Sequence, residues 1–310
     1  YSWENYILKW TAKNLPSLCE KIAVITGTGG LALEVATQLA IAGATVIIAG
    51  RNHYKGKTAV KDIKERAPNS SVSFLQVDLA SSRSIELFTS KLAARTMHID
   101  LLINNAAVMN PPTRKVTEDG FELQFGTNYL SHFMLTAKLF PLLRASEAPR
   151  VITVSSIAAN SGRINFDDLQ AEKSYQPMHS YSMSKLACLM FALELQRKSD
   201  EQGWNLLSIA AHPGVSRTDL IYNGLGTQSV AGFIRKYFWF LFQPIEQGAL
   251  PILYAACEPK VIGGEYFGPN KLMETRGYPA IAKIPVRAQD REAASQLWEL
   301  SKSITNTVFE

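Results

Sequence analysis

The sequence predicts an α/β protein: a doubly wound, mostly parallel sheet of about seven strands with helices on both faces. Three observations carry this. Short apolar runs alternate with helical stretches from residue 22 to residue 267. The runs are nearly unbroken, as in strands covered on both faces, rather than alternating as in strands with one wet face. The glycine-rich and polar clusters fall where strands end, the edge at which such sheets bind ligands. A length of 310 residues with 46% apolar content suffices for one large core.

Residues 1–20 contain Tyr1, Trp3, Tyr6, Ile7, Leu8 and Trp10 without a clean period, and read as an N-terminal arm. Residues 21–310 read as a single domain, with no internal repeat and no break in composition. The first strand, 22–25, ends in Thr26-Gly27-Thr28-Gly29-Gly30. A helix over 31–42 follows and closes at Gly43. Strand 45–49 ends in Gly50-Arg51-Asn52, and a charged helix over 55–66 stops at Pro68. Strand 72–77 runs into Asp78-Leu79, and a helix spans 82–95. Strand 99–103 ends in Asn104-Asn105-Ala106-Ala107. One long helix is expected over 120–144. Strand 150–154 ends in Ser155-Ser156. The next helix carries Tyr181 and Lys185, with apolar positions at 186, 189, 190 and 193 marking its buried face. Strand 205–211 ends in His212-Pro213-Gly214, a helix covers 245–257, and a short seventh strand lies at 265–267.

Several function classes are excluded by composition. The net charge is +5, but the charges are interspersed and no basic run marks a nucleic-acid arm. Cys19, Cys188 and Cys257 are far apart, with no CxxC, and the five histidines show no ligand spacing. Neither a disulfide framework nor a metal is expected, and reduced thiols point to a cytoplasmic protein. No run of about twenty apolar residues is present. The chain starts at Tyr1 rather than Met, which leaves an upstream targeting segment open.

Two constellations carry chemistry. The turn Thr26 to Gly30 lies between the first strand and first helix of a βαβ unit. Glycines there let the backbone approach a pyrophosphate, and the helix N-terminus at Leu31 favours its charge. A dinucleotide is therefore expected. A free 2′-hydroxyl would call for an acid after the second strand. Arg51 and Asn52 stand there instead, and a guanidinium suits a 2′-phosphate, so NADP is preferred over NAD. Tyr181 and Lys185 sit four apart on one helix face. An ammonium there is expected to lower the phenol pKa toward a value useful for proton transfer. Tyr175 has His179 rather than a lysine four residues on, so it is not the partner tyrosine.

With these residues laid out, the chain resembles the short-chain dehydrogenase/reductase family, whose members share the Rossmann fold. Val24-Ile25-Thr26-Gly27, Asp78-Leu79, Asn104-Asn105-Ala106, Asn128 within Gly126-Thr127-Asn128-Tyr129, Ser156, Tyr181 with Lys185, and Pro213-Gly214 with Thr218 occur in the family's order. Within it the chain looks most like the retinol-dehydrogenase-like and protochlorophyllide-reductase-like branch. The long segment between Ser156 and Tyr181 and the stretch 123–133 carry that finer likeness. The resemblance implies hydride transfer between a nicotinamide and a carbonyl or alcohol. It implies Tyr181 as acid/base, Ser156 on the substrate oxygen, Lys185 on the nicotinamide ribose and Asn128 positioning a water beside Lys185. It places Asp78 and Leu79 at the adenine, Asn105 and Ala106 along the cofactor, and Pro213, Gly214, Val215 and Thr218 at the carboxamide. Two departures stand out. The loop is one residue short, so Gly30 takes the second glycine's place and Ala32 the third's, and Ala107 replaces a further glycine. Each is expected to put a methyl near the dinucleotide.

Residues 219–244 fall where the family carries its substrate lid, and they include Tyr222, Phe233, Tyr237, Phe238, Trp239, Phe240 and Phe242. So aromatic a lid implies a bulky hydrophobic aldehyde or ketone, or the matching alcohol, as substrate. The same stretch also fits packing against a second copy in a homodimer, or peripheral membrane contact through Arg235 and Lys236. A lid packed on the core of a monomer is the plainer alternative. The competing functional class is a non-catalytic dinucleotide sensor or scaffold on the same fold.

Overall fold

The computed structural model describes residues 9–216 and 243–310. Residues 1–8 of the arm, Thr218 and nearly all of the 219–244 lid lie outside them. Strands β1 (Ile22–Thr26), β2 (Thr45–Gly50), β3 (Val72–Gln76), β4 (Leu101–Asn104), β5 (Arg150–Val154), β6 (Leu207–Ala211), β7 (Tyr266–Lys271) and β8 (Arg276–Ile281) form one sheet. Their order is β3-β2-β1-β4-β5-β6-β7-β8. The strands pair in parallel through β7, and β8 returns antiparallel to it. The chain builds outward from β1 to β3, then crosses over to lay β4 on the other side of β1. That reversal opens a crevice at the carboxyl ends of β1 and β4, where a doubly wound sheet binds its ligand.

The helices, in chain order, are α1 (Gly30–Ile41), α2 (His53–Arg66), α3 (Ser82–Ala93), α4 (Leu123–Phe125), α5 (Ser131–Lys138), α6 (Phe140–Arg144), α7 (Pro177–Gln202), α8 (Ile245–Cys257) and α9 (Arg291–Thr305). One core lies between the sheet and α1, α2 and α8, with Val35, Leu39, Ile63, Ile252 and Leu253 fully buried. The other lies between the sheet and α3, α5, α7 and α9, with Phe88, Phe133, Leu186, Leu189 and Trp298 inside. From the arm, Trp10 is 7% exposed, donates from Nε1 to Glu258 Oε2 at 3.2 Å and meets Tyr254 edge-on. No helix among the described residues is long and apolar enough to cross a membrane.

Three elements differ from expectation. The long helix over 120–144 is broken: α4 runs into a π-helical turn, Gly126–Leu130, then α5, and the axis breaks again at Leu139 before α6. Pro141 causes the second break, because it has no N–H to give to the helix before it. β8 was missed because it holds Gly277 and Pro279 instead of an apolar run. As the edge strand it tolerates a proline, which a central strand would not. The C-terminal helix α9 was also missed, although Asp290 caps it by accepting from Ala293 N and Leu297, Leu300 and Ile304 recur at helical spacing.

Candidate active site

The crevice between β1 and β4 is a cleft of ≈ 590 Å³. Its wall includes Gly27, Thr28, Gly29, Gly30 and Leu31 from the first loop, Arg51 and Asn52 after β2, Asp78 and Leu79 after β3, and Asn105 and Ala106 after β4. Eleven residues singled out in the sequence thus line one cavity. The first loop turns tightly because Gly27 takes φ +111 and Gly30 φ +53. A side chain on Gly29 would meet nothing within 4 Å, so the backbone there faces open space that a pyrophosphate can occupy. Thr26 holds the opposite wall: its Oγ1 accepts from Asn105 N at 2.9 Å and Ala106 N at 3.0 Å. These residues fit a dinucleotide.

Ala32 departs from the expected crowding. It is 1% exposed, and its methyl points at Gly27, 2.9 Å from where a Cβ on that glycine would lie. The methyl is core, not a wall of the cleft, whereas Ala107 does line it. Lys55, Tyr54 and Thr58 line the cleft without having been found in the sequence. Lys55 lies one helical turn beyond Arg51, and that spacing was the available signal. Asn52 starts this turn by accepting Lys55 N at 2.9 Å.

The catalytic candidates gather one loop away, at the ends of β5 and α7. Tyr181 is 5% exposed, with the Ser156 side chain close enough to bear on its hydroxyl. Lys185, 3% exposed, donates from Nζ to Val154 O at 2.9 Å, and Ser155 Oγ donates to Lys185 O at 2.7 Å. These two bonds fasten the middle of α7 to the end of β5. Ser155, read only as a strand end, is the second fastener. Ser156 caps the 3-10 turn Ile157–Ser161 by accepting Ala158 N at 3.2 Å. Asn128 sits in the π turn, a distortion found frequently at functional sites. Its side chain exchanges bonds with Val108, Oδ1 accepting Val108 N at 2.8 Å and Nδ2 donating to Val108 O at 2.9 Å. Nδ2 also donates to Ser184 Oγ at 2.9 Å, which donates on to Tyr181 O at 2.8 Å. Because Val108 lines the cleft, Asn128 links the cleft to the Tyr181 helix.

The electrostatics differ from the sequence expectation. Burial pushes the Tyr181 phenol up to about 12, against the opposing influence of the Ser156 side chain. Burial also lowers Lys185, whose ammonium is turned to the Val154 carbonyl. The phenol is thus raised rather than lowered, and burial is the largest cause. Behind Asn128, buried His132 is pushed down to about 4, chiefly by burial. Tyr175 is engaged elsewhere, donating to Pro111 O at 2.8 Å. Pro213, Gly214 and Val215 lie beyond β6, outside the cleft wall. Gly214 has φ +63, and a Cβ there would fall 2.4 Å from Thr275 O.

A family profile described as short chain dehydrogenase matches residues 21–224. Human polyprenol dehydrogenase is 37% identical over 300 residues, which is 94% of this chain and 87% of that protein. Mouse retinol dehydrogenase 13 is 36% identical over 301 residues, covering 95% and 86%. A crystal structure of a protein from Mycobacterium paratuberculosis is 37% identical, with TM-score 0.81 over 97% of this chain and 99% of that one. A short chain dehydrogenase from Escherichia coli CFT073, described as complexed with NADPH, shares the fold at 21% identity and TM-score 0.61, covering 81% and 96%. With a Rossmann sheet, a dinucleotide-shaped cleft and these relatives, the chain belongs to the short-chain dehydrogenase/reductase family, in its retinol-dehydrogenase-like branch, and is an oxidoreductase acting on alcohol and carbonyl groups.

Proposed function

We propose that the protein is an NADP(H)-dependent oxidoreductase that interconverts a bulky hydrophobic aldehyde or ketone and its alcohol, with Tyr181 as acid/base. The observation that carries this is the placement of buried Tyr181 beside Ser156 at the end of the sheet, one loop from a cleft walled by Arg51 and Lys55. NADPH, when bound, supplies the hydride. Gly27 to Leu31 take the pyrophosphate, Asp78 and Leu79 the adenine end, and Arg51 with Lys55 the 2′-phosphate. Pro213 to Val215 and Thr218 take the carboxamide. Tyr181 holds its proton at neutral pH, as its raised pKa requires, and gives it to the carbonyl oxygen. Ser156 donates to the same oxygen as charge develops there. Lys185 orients the ribose, and Asn128 holds a water beside it. The substrate class rests on the aromatic content of 219–244 and on relatives named for retinol and polyprenol, both large apolar alcohols. Residues 21–310 act as one domain, with 219–244 as its substrate lid. The free thiols Cys19, Cys188 and Cys257 suit an intracellular setting.

The experiment is NADPH consumption with a panel of long-chain and polyene aldehydes. Tyr181→Phe is expected to lower kcat by about 10² or more, with the dissociation constant for NADPH unchanged, since the hydroxyl acts on the substrate. An unaltered rate would reject Tyr181 as the acid. Binding of NADPH with no turnover of any carbonyl would favour the sensor reading instead. For the cofactor, Arg51→Ala is expected to weaken NADPH about tenfold and leave NADH unaffected. Tighter binding of NADH than NADPH by the wild type would overturn the NADP assignment.

A further inference from the structure

Glu274 lies at the tip of the β7–β8 hairpin, far in sequence from every motif described above. Leu272, Met273 and Glu274 take φ +49, +53 and +64, three successive non-glycine residues in the left-handed region. Such strain persists only where the surroundings over-determine it, and it clusters at functional sites. Here Thr275 N and Oγ1 close the tip by donating to Leu272 O at 3.2 and 2.7 Å, and the Glu274 carboxylate ties it to the rest of the fold. Its Oε1 accepts Lys283 N at 2.8 Å, and its Oε2 faces His212 Nε2 at 3.1 Å. His212 is fully buried, and its Nδ1 accepts Gly214 N at 3.2 Å. An Nδ1 that accepts leaves the proton on Nε2, so Nε2–H donates to Glu274. Both carboxylate oxygens therefore accept, which an amide side chain cannot reproduce.

The same hairpin grips the loop after β6 at further points. Val215 N donates to Thr275 O at 2.8 Å, and His212 N donates to Phe267 O at 2.8 Å. Gly268 leaves the room for the imidazole, since a Cβ on it would lie 2.0 Å from Nε2. From the end of the 219–244 stretch, Gln243 Nε2 donates to Pro213 O at 2.5 Å and Gln243 Oε1 accepts Gly277 N at 3.1 Å. The Pro213–Gly214–Val215 turn is thus held by the Thr275 carbonyl, by Gln243 and, through one buried imidazole, by the Glu274 carboxylate.

We propose that Glu274 is a positioning residue for the nicotinamide end of the cofactor, acting through His212 to hold the Pro213–Gly214–Val215 turn. This rests on the functional reading above, in which that turn meets the carboxamide. Glu274 itself stays outside the cleft and touches no reacting atom. The strained hairpin tip exists to deliver its carboxylate to the imidazole.

The test compares Glu274→Ala, Glu274→Gln and Met273→Ala in the full chain, reading NADPH affinity, KM for NADPH, kcat and thermal midpoint. Met273 is 93% exposed and supplies the control for the tip. Glu274→Ala is expected to raise the NADPH dissociation constant and KM about tenfold. Glu274→Gln should recover only part of that loss, because one donor then faces its amide NH₂. Met273→Ala should match the wild type. NADPH affinity and KM within twofold of wild type in both Glu274 variants would overturn the proposal, as would a lowered midpoint with unchanged KM, which marks a merely structural contact. Failure of wild type to bind NADPH, or indifference of NADPH binding to Arg51→Ala, would instead count against the functional reading itself.

Discussion

His132 is 2% exposed and bridges two parts of the site. Its Nδ1 lies 2.9 Å from the Asn128 carbonyl, which can only accept, so Nδ1 carries the proton. Nε2 is then free to accept from Thr26 Oγ1 at 2.9 Å, the same oxygen that holds the Asn105 and Ala106 amides. A second proton on the ring would face a hydroxyl already holding two N–H groups, in a site without water-like screening. Burial, the largest cause, together with the nearby Lys185 ammonium pushes the imidazole down to about 4 and gives a sign to the pH dependence. Between about 4 and the ordinary 6.5 only the unfolded chain binds this proton, so stability rises with pH there. The contribution is complete above about pH 6.5 and is lost as pH falls toward 4. It amounts to about 3 kcal/mol at most. His132→Gln is expected to unfold in urea with a smaller stability difference between pH 7 and pH 4.5 than the wild type. Equal differences in the two proteins would reject the assignment. The sequence offered no way to find this residue, because its partners Thr26 and Asn128 lie on different elements. Tyr181 and Lys185 stand at a spacing that can be counted and Ser156 at a strand end, whereas Asn128 stood out only through the family resemblance. The Tyr181 pKa was not legible, since burial is a property of what surrounds it.

At the scale of elements, the site depends on how closely the 3-10 turn Ile157–Ser161 settles on α7. Gly162 ends that turn with ordinary φ −63, so its role is room rather than backbone freedom. A Cβ there would lie 2.5 Å from Ser182 O and 2.8 Å from the Leu186 Cβ. Gly162→Ala is therefore expected to lift the turn from the helix and draw Ser156 away from Tyr181. The variant should lose roughly tenfold in kcat and about 1–3 kcal/mol in stability, with NADPH affinity retained. Full kcat in this variant would show that the contact does not set the Ser156–Tyr181 distance. α7 itself was readable: Pro177 stands at its start and Gly203, φ +63, closes it, the positions these residues favour. The π turn around Asn128 was not readable. It adds one residue to a helix whose apolar pattern looks continuous, and only packing against Val108 and Ser184 reveals where that residue went.

At the scale of the whole molecule, the C-terminal segment seals the face behind Asn128. Trp298 of α9 meets Phe133 at 5.0 Å and stacks on Phe191, while Phe309 meets Trp298 at 4.7 Å and Phe133 at 5.3 Å. Ser301 shares a hydrogen bond of 2.7 Å with the buried Tyr129 hydroxyl, the neighbour of Asn128. Trp298→Ala is expected to cost about 3–5 kcal/mol in urea unfolding, the range for removing a buried aromatic. A loss below about 1 kcal/mol would mean that α9 is peripheral to the core. What the sequence by itself determined is the alternation of strands and helices, the strand ends where a ligand would bind, and eleven of the residues that line the cleft there. Those follow from periodicity and from motifs that are local in the chain, where the physics of one turn or one strand is written in neighbouring residues. What only the tertiary structure decided is the edge strand β8, the inward-turned Ala32 methyl, the raised Tyr181 phenol, and the hold of Glu274 on His212 across 62 positions. Each depends on desolvation or contact between segments distant in sequence, and such partners are chosen by packing, which no local pattern records.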